Sequence, residues 1–362
     1  MRMPDMNLFA ASKLHPDVHL EGRPGMVVGV LANGRVASWQ ARGRTELGTD
    51  GTPLTSGTIF YVASVAKQFT AACIAICERS GSIRIASSIR HYLPELPACF
   101  DRVTVEHLLS HIGGVPAADP LASARGLSKN WWDGRGLWDL IGVLCDAQAL
   151  AAAPGEAYRY SNEGYWLLAG AIERANGQTF ARCAQEQLFE PLGMAHSRFR
   201  DDPDSPQPGL ATGHAVGGDK LIPVRTRFHG VGDGGLLTSL SDLAKWDLFW
   251  SGRSPLGATI PARLTAQGRL NDGSKLQYAW GVSIRKHRGF PIIGHGGNYI
   301  GYQAKFVRFP EQDFSVACVA NADDIDVDKA GIALADAVLG GNADLSAPSW
   351  AQTLSADGRA GD

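Results

Sequence analysis

The chain has 362 residues, 44% of them hydrophobic, and a formal net charge of -2, enough length to bury a large core and sustain a cleft. With 34 Lys and Arg against 36 Asp and Glu and no block of like charge, an electrostatic role on nucleic acid or an anionic membrane is excluded, and no run reaches the roughly 18 apolar residues of a membrane span. The expected partner is a small-molecule or peptide-like substrate, with the oligomeric state left open.

At the N-terminus the apolar patch Leu8 to Ala11 is too short for a secretory core. Cys73, Cys77, Cys99, Cys145, Cys183 and Cys318 show neither C-x-x-C nor Cys/His ligand spacing and read as free thiols. Both features favour the cytoplasm over a periplasmic or secreted location. "GMVVGVLANGRVASWQARG" (25 to 43) reads as two strands joined by a tight turn at Asn33-Gly34. Helical patterns follow at 64 to 80, 104 to 111, 137 to 147, 161 to 176 and 179 to 189. Another lies in "SLSDLAKWDLFWSG", with Ser239 or Ser241 as cap. "YAWGVSI", "FPIIGHG", "YQAKFVRFP" and "FSVACVANA" suggest a strand meander, and "DVDKAGIALADAVLG" a final helix covering the sheet. The expected fold is therefore α/β (α+β). An antiparallel sheet built from both ends of one domain (25 to 345) carries helices and an inserted helix-rich portion (about 85 to 230). An extension (1 to 24) and a polar tail (346 to 362) flank it.

Three short patterns carry chemistry. Ser-x-x-Lys occurs at Ser64/Lys67 and again at Ser283/Lys286. Ser283 falls in a strand pattern, where three residues' spacing sends side chains to opposite faces, whereas Ser64 opens a helix and shares its face with Lys67. A helix N-terminus favours a developing oxyanion, and an amine withdrawn from water is more readily neutral and able to take the serine proton. Tyr160-Ser161-Asn162 is the one Y-x-N of the chain and precedes an apolar helix, so a phenol and an amide project into the same cleft. His or Lys followed by x-Gly occurs at His111, His287, His295 and Lys329. Chain order and context single out His295, at the end of an apolar strand before Gly296 and Gly297, whose lack of side chains permits close approach of a substrate backbone.

With these three patterns in order, and with "TVEHLLSHIGGVP", "PGEAYRYSNEGYWLLAGAIERANG", "LFEPLGMAHSRF" and "GDGGLLTSLSDLAKW" between them, residues 25 to 340 resemble the serine β-lactamase and penicillin-binding-protein-like family. The similarity is to the branch holding class C β-lactamases, D-Ala-D-Ala carboxypeptidases, D-aminopeptidases and related esterases. The resemblance implies a β-lactamase/transpeptidase-like fold and an acyl-enzyme on Ser64. Lys67 would accept the serine proton, Tyr160 act as general base or acid, and Asn162 hold Lys67 and the substrate amide. His295 would stand where the family usually has a lysine, with Gly297 beside it and an oxyanion hole formed by the backbone N–H groups of Ser64 and Asn298. No metal or other cofactor is implied.

The chain departs from the pattern in three places. His295 replaces a fixed charge by a group that ordinarily titrates near neutrality, which weakens any anchor for a substrate carboxylate. The S-D-N motif and separate deacylating glutamate of class A enzymes are missing, and Ile112 stands where the branch usually has threonine. The expected function is a serine hydrolase of esters or peptide-like amides. The alternatives are an acyltransferase or cyclase sharing the first half-reaction, a weak β-lactamase, and a non-enzymatic sensor.

Overall fold

Asn33 and Gly34 both adopt positive φ, 55° and 74°, the conformation a two-residue turn needs to match the twist of its strands. They join β1 (Met26–Ala32) to β2 (Arg35–Arg42) in a computed structural model that describes residues 22–48, 50–202, 204–224 and 227–340. Then come β3 (Ile59–Tyr61), β4 (Arg198–Phe199), a hairpin of β5 (Gly213–Gly217) and β6 (Lys220–Val224), and β7 (Leu236–Ser239). The C-terminal meander is β8 (Ser283–His287), β9 (Phe290–Tyr299), β10 (Tyr302–Phe309) and β11 (Phe314–Ala320). The principal sheet has the order β2-β1-β11-β10-β9-β8, antiparallel throughout, so the first and last strands lie side by side at its centre. A smaller sheet, β3-β7-β4, ties the segment leading to Ser64 to the middle of the chain.

Alternation along β1 sends Val27 and Leu31 to one face and Val28 and Val30 to the other. Both faces are covered, which is why all seven residues of β11 are buried and its sequence lacks polar alternation. On one face lies the terminal helix Val327–Val338, as its apolar pattern predicts. On the other lie the helices Lys67–Ser80, Asn162–Asn176 and Leu240–Trp250. Ser239 caps the last of these, accepting from the Asp242 N–H at 3.2 Å. Phe69 stacks on Trp246 with centroids 4.0 Å apart, and complete burial of such a side chain stabilises the fold by about 2–3 kcal/mol.

Several expected boundaries shift. The helix expected over 104 to 111 stops at Leu109, because His111 takes a left-handed conformation. The pattern over 179 to 189 divides into Phe180–Ala184 and a π turn, Gln185–Phe189. In "YAWGVSI" the strand begins only at Ser283, since the Ala279 N–H donates to the Val282 carbonyl and closes a tight turn instead. Residues 1–21 of the N-terminal extension and the whole polar tail lie outside the described residues. Among the described residues no helix is long and apolar enough to cross a membrane.

Candidate active site

β3 leads into a 3-10 turn, Ala63–Ala66, and the α-helix begins at Lys67. Ser64 therefore sits one turn ahead of the α-helix rather than on it, which corrects the expected helix start. Ala63 has φ 45°, a left-handed strain of order 1–3 kcal/mol that the surrounding core holds in place. Ser64 is half-buried and Lys67 wholly buried.

Lys67 Nζ lies 3.1 Å from Ser64 Oγ, 2.8 Å from Asn162 Oδ1 and 2.9 Å from the Asp233 carbonyl oxygen. Burial withdraws the amine from water and lowers its pKa from 10.5 to about 8, partly opposed by the charges of Asp233 and Glu163. Asn162 is the first residue of its helix, whose cap is Ser161 accepting from the Gly164 N–H at 3.0 Å. The loop supplying Asp233 is held by the Thr70 hydroxyl donating to the Gly232 carbonyl at 2.7 Å. Asp233 itself accepts from Trp166 Nε1 at 2.7 Å, and burial raises its carboxyl above the usual range.

The Tyr160 hydroxyl faces the Ser64 side chain, an interaction that favours its ionised form; burial outweighs it and raises the phenol above its ordinary range, so it is neutral at rest. Its ring centroid is 4.9 Å from Lys67 Nζ. Pairing of β8 with β9 ends at Gly294, so the β9 edge from Gly296 onward faces the Ser64 turn instead of a strand. A Cβ at Gly297 would lie 2.2 Å from the Val62 oxygen and 3.1 Å from the Ser64 nitrogen, so only glycine allows this approach. Asn298 is exposed beside it.

His295 differs from its expected character. It is 4% exposed, with Nε2 3.1 Å from the Tyr278 hydroxyl and Nδ1 2.5 Å from the Gly296 carbonyl. Burial, reinforced by the Lys67 charge, drives its pKa down to about 3. It is a neutral group behind Tyr160, ring centroids 6.0 Å apart, and not a side chain that titrates near neutrality. Ser283 lies in β8 and donates to the Gly294 carbonyl at 3.0 Å, and His287 bonds Asp336 at 2.7 Å.

A cavity of about 250 Å³ opens at Ser64, walled by Trp131, Trp132, Phe228 and Tyr299 and carrying the carboxylates Asp119, Glu163 and Asp233. The sequence pattern missed these groups and His111, which touches the Tyr160 segment. "GDGGLLTS" was one signal for Asp233; the tryptophans carry none. Among the described residues no group of three or more His, Cys, Asp or Glu is placed to hold a metal ion.

With this geometry in place, the sequence profile described as Beta-lactamase matches residues 11–340. The chain belongs to the beta-lactamase family. Among curated relatives, this beta-lactamase-family chain is 28% identical over 320 residues to penicillin-binding protein 4* of Bacillus subtilis (strain 168), covering 81% of the chain and 67% of that protein. It is 27% identical over 324 residues to a D-aminopeptidase of Brucella anthropi, covering 84% of the chain and 57% of that enzyme. Its fold matches that of the octameric penicillin-binding protein homologue from Pyrococcus abyssi with a TM-score of 0.77 at 24% identity, over 89% of this chain and 75% of that one. The chain thus spans less than two thirds of the D-aminopeptidase. The β-lactamase/transpeptidase-like fold that the motifs implied is the fold observed.

Proposed function

We propose that the protein is a serine hydrolase that cleaves an ester or amide through an acyl-enzyme on Ser64. The observation that carries this reading is the set of three partners around Lys67 Nζ. Two of them, Asn162 Oδ1 and the Asp233 carbonyl, can only accept. In the neutral amine they take both hydrogens and leave the lone pair toward Ser64 Oγ, the orientation a proton acceptor needs. Ser64 then attacks the acyl carbon while its proton passes to Lys67. The developing oxyanion is held by the Ser64 and Asn298 N–H groups, and the neutral Tyr160 hydroxyl protonates the leaving group, being restored from Lys67. Water later repeats the sequence on the acyl-enzyme. Tyr160→Phe should keep its melting temperature and KM but lose about 100-fold or more in kcat on amides. Turnover near wild type in a folded variant would reduce Tyr160 to packing.

The cavity supports a neutral or amine-bearing acyl donor. Its described lining holds three carboxylates and no arginine or lysine, and His295 is buried and neutral. A donor carboxylate in this lining therefore meets like charge, a penalty of about 1 kcal/mol or more per close charge at a protein surface, and the nearest cation, Lys67, is wholly buried with its amine held by Ser64, Asn162 and the Asp233 carbonyl. On a panel of p-nitrophenyl esters, D-amino-acid amides and nitrocefin, kcat/KM should be lowest for nitrocefin by about tenfold or more. Nitrocefin as the best substrate would overturn this reading. Free cysteines, four of them buried, suit a reducing compartment, and we place the protein in the cytoplasm.

A further inference from the structure

Tyr160 belongs to no helix or strand. It lies in the segment that enters the Asn162–Asn176 helix, although its hydroxyl must be held against Ser64 within a fraction of an ångström to move a proton. Both peptide N–H groups that flank it end on one residue. The Arg159 N–H donates to the His111 carbonyl at 2.8 Å, and the Ser161 N–H donates to His111 Nδ1 at 3.1 Å. The His111 ring itself lies against the Tyr160 ring, centroids 4.3 Å apart.

We propose that His111 is a positioning residue for the proton-transfer step, a clamp that fixes the Tyr160 hydroxyl by holding its backbone on both sides and its ring on one face. This inference rests on the role assigned to Tyr160 above.

Two local costs of His111 have no other evident purpose. Its φ is 58°, a left-handed conformation in which a non-glycine residue is strained and which asparagine tolerates better than histidine. The conformation ends the preceding short helix and brings the His111 carbonyl and ring to the same segment. Accepting from the Ser161 N–H requires a lone pair on Nδ1, so the proton of the neutral ring is on Nε2. That nitrogen is buried and has no hydrogen-bond partner among the described residues; the rings of Tyr160, Tyr165 and Tyr278 surround the imidazole, with centroids 4.3, 5.1 and 4.7 Å away. Glycine or asparagine would stop the helix without burying an unpaired N–H. Neighbouring Ile112, in place of the family's threonine, is buried and accepts from the Gly155 N–H at 2.8 Å, which ties the same strap to the loop leading to Tyr160.

The test compares two substrates with one acyl group, an amide and a p-nitrophenyl ester. The amine of the amide must be protonated as it leaves, whereas p-nitrophenolate leaves without a proton. Loss of the clamp should therefore fall on the amide. His111→Gly keeps the backbone conformation and removes ring and acceptor; the amide kcat should drop at least tenfold, with KM within twofold and the single-turnover release of p-nitrophenolate from the ester, the step being compared, within threefold. His111→Asn keeps the conformation and supplies Oδ1 to the Ser161 N–H, so the amide kcat should stay within about threefold of wild type. In a Tyr160→Phe background, His111→Gly should add no further loss. If glycine at 111 prevents folding, His111→Ser serves, its hydroxyl being too short to reach the Ser161 N–H. Equal losses on amide and ester, full additivity with Tyr160→Phe, or failure of the asparagine variant on the amide would each overturn the clamp. A silent Tyr160→Phe would instead overturn the role of Tyr160, and the two failures are distinct.

Discussion

Ser64→Ala should abolish covalent labelling by a fluorophosphonate and lower turnover on the order of 10⁴-fold or more, the scale on which loss of a covalent nucleophile is felt. Peptide mapping of the wild-type adduct should place the label on the 61–67 segment. The rival serine is Ser283, which shares the S-x-x-K spacing but lies in a strand, with its hydroxyl donated to the Gly294 carbonyl. No amine lone pair is aimed at it. Among the described residues, Ser64 alone combines a neighbouring buried lysine, a tyrosine hydroxyl facing it and an adjacent pair of chain segments that can donate backbone N–H groups. Label on Ser283, or undiminished labelling of the alanine variant, would falsify the assignment.

If Lys67 accepts the serine proton as proposed, acylation should rise with pH through about 8 and then level, because only the neutral amine can accept it and burial lowers its pKa to about 8. At pH 7 about one molecule in ten has Lys67 in that form. The same shift acts on stability. Below about 8 the amine is protonated in folded and unfolded chains alike, and folding carries the whole cost of burying the ammonium. Between about 8 and 10.5 the unfolded chain keeps the proton while the folded chain releases it, so stability rises with pH across that window, by on the order of 3 kcal/mol in total. Lys67→Met removes the titration. It should lose about 10³-fold or more in acylation, while its melting temperature at pH 7 moves little, because relief of the buried charge offsets the acceptors left unpaired at Asn162 and Asp233. Single-turnover release of p-nitrophenol across pH 6 to 10, with thermal melts at the same pH values, measures both effects. An acylation rate independent of pH in the wild type, or a lysine-to-methionine variant that still acylates, removes Lys67 from the reaction.

Features governed by near neighbours along the chain are legible in the sequence itself. Asn33-Gly34 dictates its turn, and Ser64 and Lys67 meet because three residues separate them near a helix start. The environment of these groups is not legible there. Lys67 reaches Asn162 and Asp233 across 95 and 166 residues, and its proton affinity is set by burial, partly opposed by the charges of the distant Asp233 and Glu163. For His295 the strand-end position is readable, but the burial and the Lys67 charge that keep it neutral, and its Tyr278 partner, are not. Chain order sets His111 aside because it precedes Tyr160; its importance is visible only when residue 159 and residue 161 are seen to bond the same side chain and carbonyl. β4 and the β5–β6 hairpin are too short or too exposed to leave a hydrophobic period.

The pairing of β1 with β11, Met26 opposite Ala320, sets a condition on synthesis. As the ribosome extends the chain, β1 can close its hairpin with β2 at once, but its inner edge stays open until the last strand has emerged. Through that interval Val27, Val28, Val30 and Leu31 lack most of the sheet that buries them, and an open apolar edge invites pairing with other chains. The nascent protein already holds Ser64 and Lys67, but β9, which brings Gly297 against the Ser64 turn, is made later and takes its place in the sheet through β10 and β11. Chains released before β11 should be found with chaperones or in aggregates, and covalent labelling of Ser64 should report that the sheet has closed.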